Sequence, residues 1–391
     1  MPLTIPLADV ADGWVKALAQ ATGSEAIAAL DGATLLGERA MLNGFAVPGR
    51  VSPGGGCRLY EAADGVVALN LARESDRELL PALFEQAFDP ADDTAITGQV
   101  AQCEAPALVA RGREMGLAIA AETEPAPPCP AVQRLVEGKS RAGADRPPRV
   151  IDLSALWAGP LAGHLLWLAG ADVVKVESDT RPDAMREGDP ALFALLNQGK
   201  ASISLDLKAA EGRRALMGLI AQADIIVEAA RPRALRQLGI DAAALVAGQP
   251  GLIWLTITGH GARGDAADWV GFGDDCGVAA GLSAELRAAS GASGFAGDAV
   301  ADPLTGIRAA SVAWDLWQTG HGGRFGLSMR GVTAEALGQA NADGPETLTA
   351  LLRAWRAAEG KPFPGVTRRS ARAVAPRGAD TRRLAAGLAS C

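Results

Sequence analysis

Asp302 lies in Ala301-Asp-Pro-Leu-Thr-Gly-Ile-Arg-Ala-Ala310, a lone carboxylate ahead of small residues at helical spacing. The plain reading is a helix cap, because an aspartate there accepts a backbone N–H. The chemical reading is an attacking group on a bound thioester, since a carboxylate can split one hard step into two easier ones through a covalent intermediate. Three adjacent glycines, Gly54-Gly55-Gly56, read either as a turn before a hairpin or as a mobile lid whose N–H groups close over a reacting carbonyl. Arg231-Pro-Arg-Ala-Leu-Arg236 follows a β-type run and suits phosphate at a strand's carboxyl end or, more blandly, a solvated helix start. Gly259-His-Gly-Ala-Arg-Gly264 spells GxGxxG after a strand. A dinucleotide site needs a helix directly behind that motif, and Asp265-Ala-Ala-Asp-Trp-Val-Gly is a poor one, so NAD binding is not expected there.

The text around these residues says what must hold them. From Arg149 onward, β runs (Val150-Ile-Asp-Leu, Val173-Val-Lys-Val, Ile203-Ser-Leu, Ile225-Ile-Val, Leu252-Ile-Trp-Leu-Thr-Ile) alternate with helical stretches. That alternation predicts an α/β fold, a doubly wound parallel sheet with helices on both faces. Upstream, residues 8–45 read as helices, and Cys57-Arg-Leu-Tyr and Val66-Val-Ala-Leu-Asn-Leu flank an Asp64-Gly65 turn as a hairpin. Ser75 is a plausible N-cap for the helical text after it. The organisation expected is a small α+β domain over residues 1–121, a Pro-rich linker over 122–148, a large domain over 149–332 and a C-terminal segment over 333–391 that returns to the large domain.

Composition narrows the function classes. The chain has 391 residues, net charge −8 and 49% hydrophobic residues, so no electrostatic case exists for nucleic acid or an anionic membrane. The cysteines (57, 103, 129, 276, 391) and histidines (164, 260, 321) show no metal-ligand spacing, and a reducing cytoplasm fits them best. The uncharged stretch from Ala155 to Ala171 is broken by Gly159-Pro160 and reads as a buried βα unit rather than a membrane span.

Residues 149–330 resemble the class III CoA-transferase (CaiB/BaiF) family, typified by formyl-CoA transferase and carnitine dehydratase-like proteins. The matching text is Arg149-Val-Ile-Asp-Leu-Ser-Ala-Leu-Trp-Ala-Gly-Pro-Leu-Ala-Gly, Leu168-Ala-Gly-Ala-Asp-Val-Val-Lys-Val-Glu177, Leu196-Asn-Gln-Gly-Lys-Ala-Ser-Ile-Ser-Leu-Asp-Leu-Lys208, Ala223-Asp-Ile-Ile-Val-Glu228, Thr256-Ile-Thr-Gly-His-Gly261 and Thr319-Gly-His-Gly-Gly-Arg-Phe-Gly. The resemblance places the family's catalytic aspartate at Asp302 and its glycine loop at Gly54, Gly55 and Gly56. It implies CoA contacts at Trp157, Ala158, Ser178, Leu205, Lys208, Ala229, Arg231, Arg236, Gly259 and His260. CoA would be a substrate, with no tightly bound cofactor and no metal, and the protein an interlocked homodimer. In the family the small domain follows the large one, whereas here similar text precedes it, so the order is permuted or a tandem copy has decayed.

The chain also departs from the family pattern. Ser178 stands where an arginine usually reaches CoA phosphate, Ala229-Ala230 replaces Asn-Phe, and a further family arginine falls at Gln237, beside Arg236. Arg181, Arg186, Arg231 or Arg233 could take over the phosphate grip. The reaction implied is CoA exchange between carboxylic acids through an aspartyl-CoA thioester at Asp302, with Gly55 and Gly56 N–H groups on the oxyanion. One alternative is a 2-methylacyl-CoA racemase, whose histidine position falls at Phe272, with Asp274 or Asp275 as weak substitutes. The other is an inactive CoA-binding relative.

Overall fold

The computed structural model describes residues 3–124, 130–142 and 146–386. Cys129, Cys391 and the Arg233 side chain lie outside the described residues. Among those described, the strands are β1 (Cys57–Glu61), β2 (Val66–Asn70), β3 (Ala118–Ala121), β4 (Val132–Glu137), β5 (Arg149–Asp152), β6 (Asp172–Ser178), β7 (Ala201–Leu205), β8 (Ile225–Glu228), β9 (Ile253–Thr258) and β10 (Gly323–Ser328). The first three form a small antiparallel sheet, and the rest form a larger one in the order β4-β10-β9-β8-β5-β6-β7. Only β4 runs antiparallel to its neighbour there.

Alternation along the central strands makes this sheet two-sided. Val150, Ile225, Val227, Ile253 and Leu255 enter one core, while Ile151, Ile226 and Trp254 enter the other. Helices cover both faces, as the alternating text predicts. The chain winds outward from β5 in one direction through β6 and β7, and in the other through β8, β9 and β10. The carboxyl ends of β5 and β8 therefore mark the switch point, where a crevice opens in such sheets.

Three expectations need correction. The segment read as a linker contributes β4, the antiparallel edge strand paired with β10. Its Pro-rich flanks hid a short β run, Val132-Gln-Arg-Leu-Val-Glu, and Arg146 anchors the following turn to Asp224 at 2.7 Å. The first helices, Ala8–Thr22 and Gly32–Leu42, do not pack with the small sheet: their apolar faces (Val15, Leu18, Leu35, Leu36) join the core under the large one. Ser75 lies within the helical turn Glu74–Arg77 and does not cap it, that place falling to Arg73. Strand β3 (Ala-Ile-Ala-Ala) gave no signal in the sequence, because alanine has little β preference. The tail does return to the large sheet, where Asp380 and Thr381 accept the Ser202 and Ser204 N–H groups of β7.

What positions the loop after β5 is a buried ionic network. Lys200 Nζ lies 2.7 Å from Asp152 Oδ2 and donates to Pro160 O at 2.8 Å, with both charged side chains almost wholly inaccessible. Burial alone would raise the Asp152 pKa, but Lys200 and Lys175 outweigh it and hold the carboxyl at about 2. A Cβ on Gly163 would sit 3.0 Å from Asp152 Oδ2, so the helix Ala158–Leu168 approaches this pair closely. Lys200→Met leaves Asp152 charged and buried, and should cost about 3–5 kcal/mol in urea unfolding at pH 7. An unchanged midpoint and slope would show that the pair does not hold this loop.

Candidate active site

Asp302 occupies the first turn of the helix Ala301–Thr319, yet it does not cap that helix, whose N-cap is Val300 with no side-chain cap bond. Its carboxylate instead accepts the N–H of Ala158, the first residue of the neighbouring helix Ala158–Leu168. The two helices cross closely because residue 306 is glycine: a Cβ there would stand 2.8 Å from the Ala158 carbonyl oxygen. Gly273 performs the same service on the other side, where a Cβ would fall 2.3 Å from Asp302 Oδ2. The turn that starts the Asp302 helix carries strain, since Ala299 has φ 44°, a left-handed value that alanine seldom adopts. The Ala299 N–H donates to Asp274 Oδ1 at 3.0 Å, which holds that turn in place.

Three buried carboxyls share one arginine. Arg39, on the helix Gly32–Leu42, donates through Nη1 to Asp298 Oδ1 at 2.9 Å, and its guanidinium lies 5.7 Å from the Trp157 ring centre. Burial pushes the Asp302 carboxyl up to about 7, with Arg39 and the Ala158 N–H opposing and Asp274 and Asp275 adding to the rise. Burial likewise raises Asp298 to about 7 and Asp274 to about 6, against the pull of the same Arg39. These groups titrate as a set, so protons belong to the cluster as much as to any one member. A carboxylate at such a pKa is half ionised near neutrality, and a poorly solvated one is a better nucleophile than its surface counterpart.

Two cavities meet at Asp302. One, about 200 Å³, opens at the sheet's switch point between the loops after β5, β8 and β9, and is lined by Ala158, Ala229, Arg231 and Gly259. The other, about 220 Å³, lies toward the small sheet and is lined by Arg39, Ser52, Gly54, Gly56, Trp157 and Asp274. Leu156, Phe272 and Asp302 border both. The small unit is tied onto this place by hydrogen bonds: Ser52 donates to Asp274, and Asn70 Nδ2 to Asp275 Oδ1 at 3.4 Å. The glycine loop itself is a tight turn. Gly55 has φ 74°, and its N–H is spent on Ser52 O at 2.8 Å.

The residues expected to contact CoA divide into groups. Ala158, Ala229, Arg231 and Gly259 share the switch-point cavity with Asp302, and Trp157 borders the other. Ser178 and Leu205 sit side by side at the ends of β6 and β7, and Lys208 is exposed beyond them, but none lines either cavity. Arg236 borders a separate surface cleft with Arg324 and Asp241. Arg186 is committed to Glu177 at 2.5 Å, while Arg181 is exposed. His260 borders a third cavity, about 540 Å³, alongside Trp269 and Arg113. The fold also draws His260, Asp275 and Cys276 together, a trio that sequence spacing does not reveal. In it Asp275 accepts the Phe272 N–H at 2.9 Å as part of a helix cap. The GxGxxG motif leads into one turn of 3-10 helix, Gly264–Ala267, rather than a phosphate-binding helix.

Arg39, Asp298, Gly273 and Arg73 were not among the expected site residues. The one available signal was Arg39 itself, a charge set among the buried Leu35, Leu36 and Ala40 of its helix, next to a second charge, the buried Glu38. Arg73 reaches the switch-point cavity from the small unit, where its guanidinium lies 5.7 Å from the Phe272 ring centre.

The chain is 35% identical over 176 residues to a succinate–glutarate CoA-transferase of Agrobacterium fabrum, covering 42% of this chain and 44% of that protein. It is 36% identical over 143 residues to a succinyl-CoA–D-citramalate CoA-transferase of Chloroflexus aurantiacus, covering 33% and 36%. The chain thus spans less than half the length of these curated relatives. Among solved structures, a hypothetical protein from Mycobacterium tuberculosis superposes with a TM-score of 0.45 at 24% identity, covering 55% of this chain and 60% of that one. A CaiB/BaiF family protein from Brucella suis gives 0.42 at 26%, covering 53% and 59%. The sequence profile described as CoA-transferase family III matches residues 148–343, half of the chain and the part that contains Asp302, and the protein belongs to that family.

Proposed function

We propose that this protein moves CoA from an acyl-CoA to a carboxylic acid, with Asp302 as the group that is transiently acylated. The observation that carries the reading is that Asp302 is the one titratable group, among the described residues, that borders both cavities. In this reading the thiol end of CoA enters from the switch-point cavity, past Arg231, and the acyl group lies in the cavity beside Arg39. The residues at 178 and 229, which lack the family's usual phosphate-side groups, leave Arg231 and Arg73 as the cations nearest the path of the CoA arm.

The steps balance without an outside reagent. An Asp302 carboxylate oxygen attacks the acyl carbonyl, the carbon–sulfur bond breaks, and CoA leaves as thiolate, giving an aspartyl–acyl anhydride. The thiolate then attacks the aspartyl carbonyl and expels the donor acid as its carboxylate, leaving an aspartyl-CoA thioester. An acceptor carboxylate attacks that thioester, the thiolate leaves again, and its attack on the new acyl carbonyl releases the product and restores Asp302. Each tetrahedral centre develops an oxyanion, which backbone N–H groups can stabilise. With the Gly55 N–H spent on Ser52, that role falls to the Gly54 and Gly56 backbone, which borders the acyl-side cavity. Enclosure of the site protects the anhydride from water. Arg39 is a positioning residue: it lowers the Asp302 pKa toward neutrality against the effect of burial. A racemase would need a base where Phe272 stands, and a phenyl ring cannot accept a proton. The proposal includes a cytoplasmic homodimer, as the family resemblance implies.

Incubation with acyl-CoA and trapping with hydroxylamine or borohydride should label Asp302, located by peptide mapping, without fast exchange of the α-hydrogen into deuterated solvent. Asp302→Asn should abolish the label and the transfer. It should also raise Tm at pH 8 by about several degrees, because a carboxyl with a raised folded pKa loses stability as pH climbs through that value. Solvent exchange with no trapped adduct would replace this reading with the racemase one, and neither signal would favour an inactive relative.

The acylation rate should depend on pH in a set direction. The carboxylate is the nucleophile, Asp302 titrates near 7, and Arg39, Asp274, Asp275 and Asp298 are the charged groups around it. Single-turnover acylation should therefore rise roughly tenfold between pH 6 and 8 and then level off. A rate already flat from pH 5 upward would contradict a buried, raised nucleophile.

A further inference from the structure

The cavity beside Arg39 has a composition that restricts what it can hold. Its lining includes the apolar Leu156, Trp157, Met185 and Phe272 together with Arg39, Asp274 and Asp302. Its volume, about 220 Å³, admits on the order of ten non-hydrogen atoms or fewer. Among the described residues, Arg39 is the only cation bordering it. That cation is already shared: Nη1 holds Asp298 at 2.9 Å, and Nη2 lies against the glycine loop, 2.8 Å from where a Gly54 Cβ would stand.

We propose that this cavity selects a short acyl group with an apolar tail and no second carboxylate. The proposal rests on the transferase reading above and names its substrate class. A tail of a few carbons would lie on the Trp157 and Met185 wall, where burial of apolar surface favours it. A tail ending in a carboxylate would set a further anion among Asp274, Asp298 and Asp302 with one guanidinium for all, and like charges brought together in a desolvated site repel strongly. The reacting carboxylate of the acceptor escapes this penalty. When it arrives, Asp302 is esterified to CoA and neutral, so one anion replaces another beside Arg39.

The test compares butyryl-CoA with succinyl-CoA, two four-carbon donors that differ by the terminal carboxylate, with acetate as acceptor. In the unmodified protein kcat/KM should favour butyryl-CoA by roughly a hundredfold, and octanoyl-CoA should fall at least about tenfold below butyryl-CoA. Asp274→Asn removes one of the repelling anions and should narrow the butyryl-to-succinyl ratio by about tenfold, whatever its effect on turnover, since both donors are read in the same variant. Should that variant not fold, the ratio in the unmodified protein decides by itself. Succinyl-CoA serving as well as butyryl-CoA, with both labelling Asp302, would overturn the substrate class and leave the transferase standing. Failure of every acyl-CoA to label Asp302 would overturn the transferase reading, and this inference with it.

Discussion

Arg39 faces three carboxyls in a place with little water. Asp298 binds it directly, and Asp274 and Asp302 feel its charge across the cavity. Without that guanidinium, burial would hold all three acids protonated, and Asp302 would be useless as a nucleophile near neutral pH. With a full counter-charge for each, Asp302 would be an ordinary carboxylate of low reactivity. One cation for three acids keeps Asp302 poised between those limits. Buried charge of this kind costs stability, and the surroundings supply it: glycines at 273 and 306 let backbone close in, and the Ala299 turn is held by Asp274 against its own preference.

Chain order matters less to this site than contact. The glycine loop and Arg39 precede the large sheet in sequence, while Asp274, Asp298 and Asp302 follow its β9, yet all border one cavity or bond within it. The link between the two parts is polar and specific, from Ser52 to Asp274 and from Asn70 to Asp275. The small unit therefore completes the cavity beside Arg39, and the large sheet supplies most of the switch-point cavity. Asp302 is the titratable group, among the described residues, that both cavities share, with Leu156 and Phe272 as the partition between them. Leu156 holds a left-handed φ of 69°, a strained backbone at the point where both cavities need a wall.

The parallel sheet was legible because its strands are buried on both faces and spell continuous apolar runs, as Ile253-Trp-Leu-Thr-Ile does. The hairpin was legible from Asp64-Gly65, whereas Asp302 stood out through the family resemblance, its setting before a small-residue helix suiting a plain cap as well. Strand β4 was not legible, because prolines on both sides read as a linker and its faces are only partly buried. Nor was the role of Arg39, since its three partners lie more than two hundred residues away and no local pattern joins them. The grip at Ser178 and Lys208 was implied by the family resemblance, and those positions stand apart from the two cavities that share Asp302. Local periodicity finds elements, and it is silent about which charges from different elements end up in one low-dielectric pocket.

The most direct measurement is the titration of the Asp302 carboxyl carbon by NMR, with the resonance assigned by its loss in Asp302→Asn. The account requires a midpoint near 7 in the unmodified protein, moving upward in Arg39→Met as the opposing guanidinium is withdrawn. A midpoint near 4, or one that Arg39→Met leaves in place, would contradict a nucleophile poised by burial against a single shared arginine.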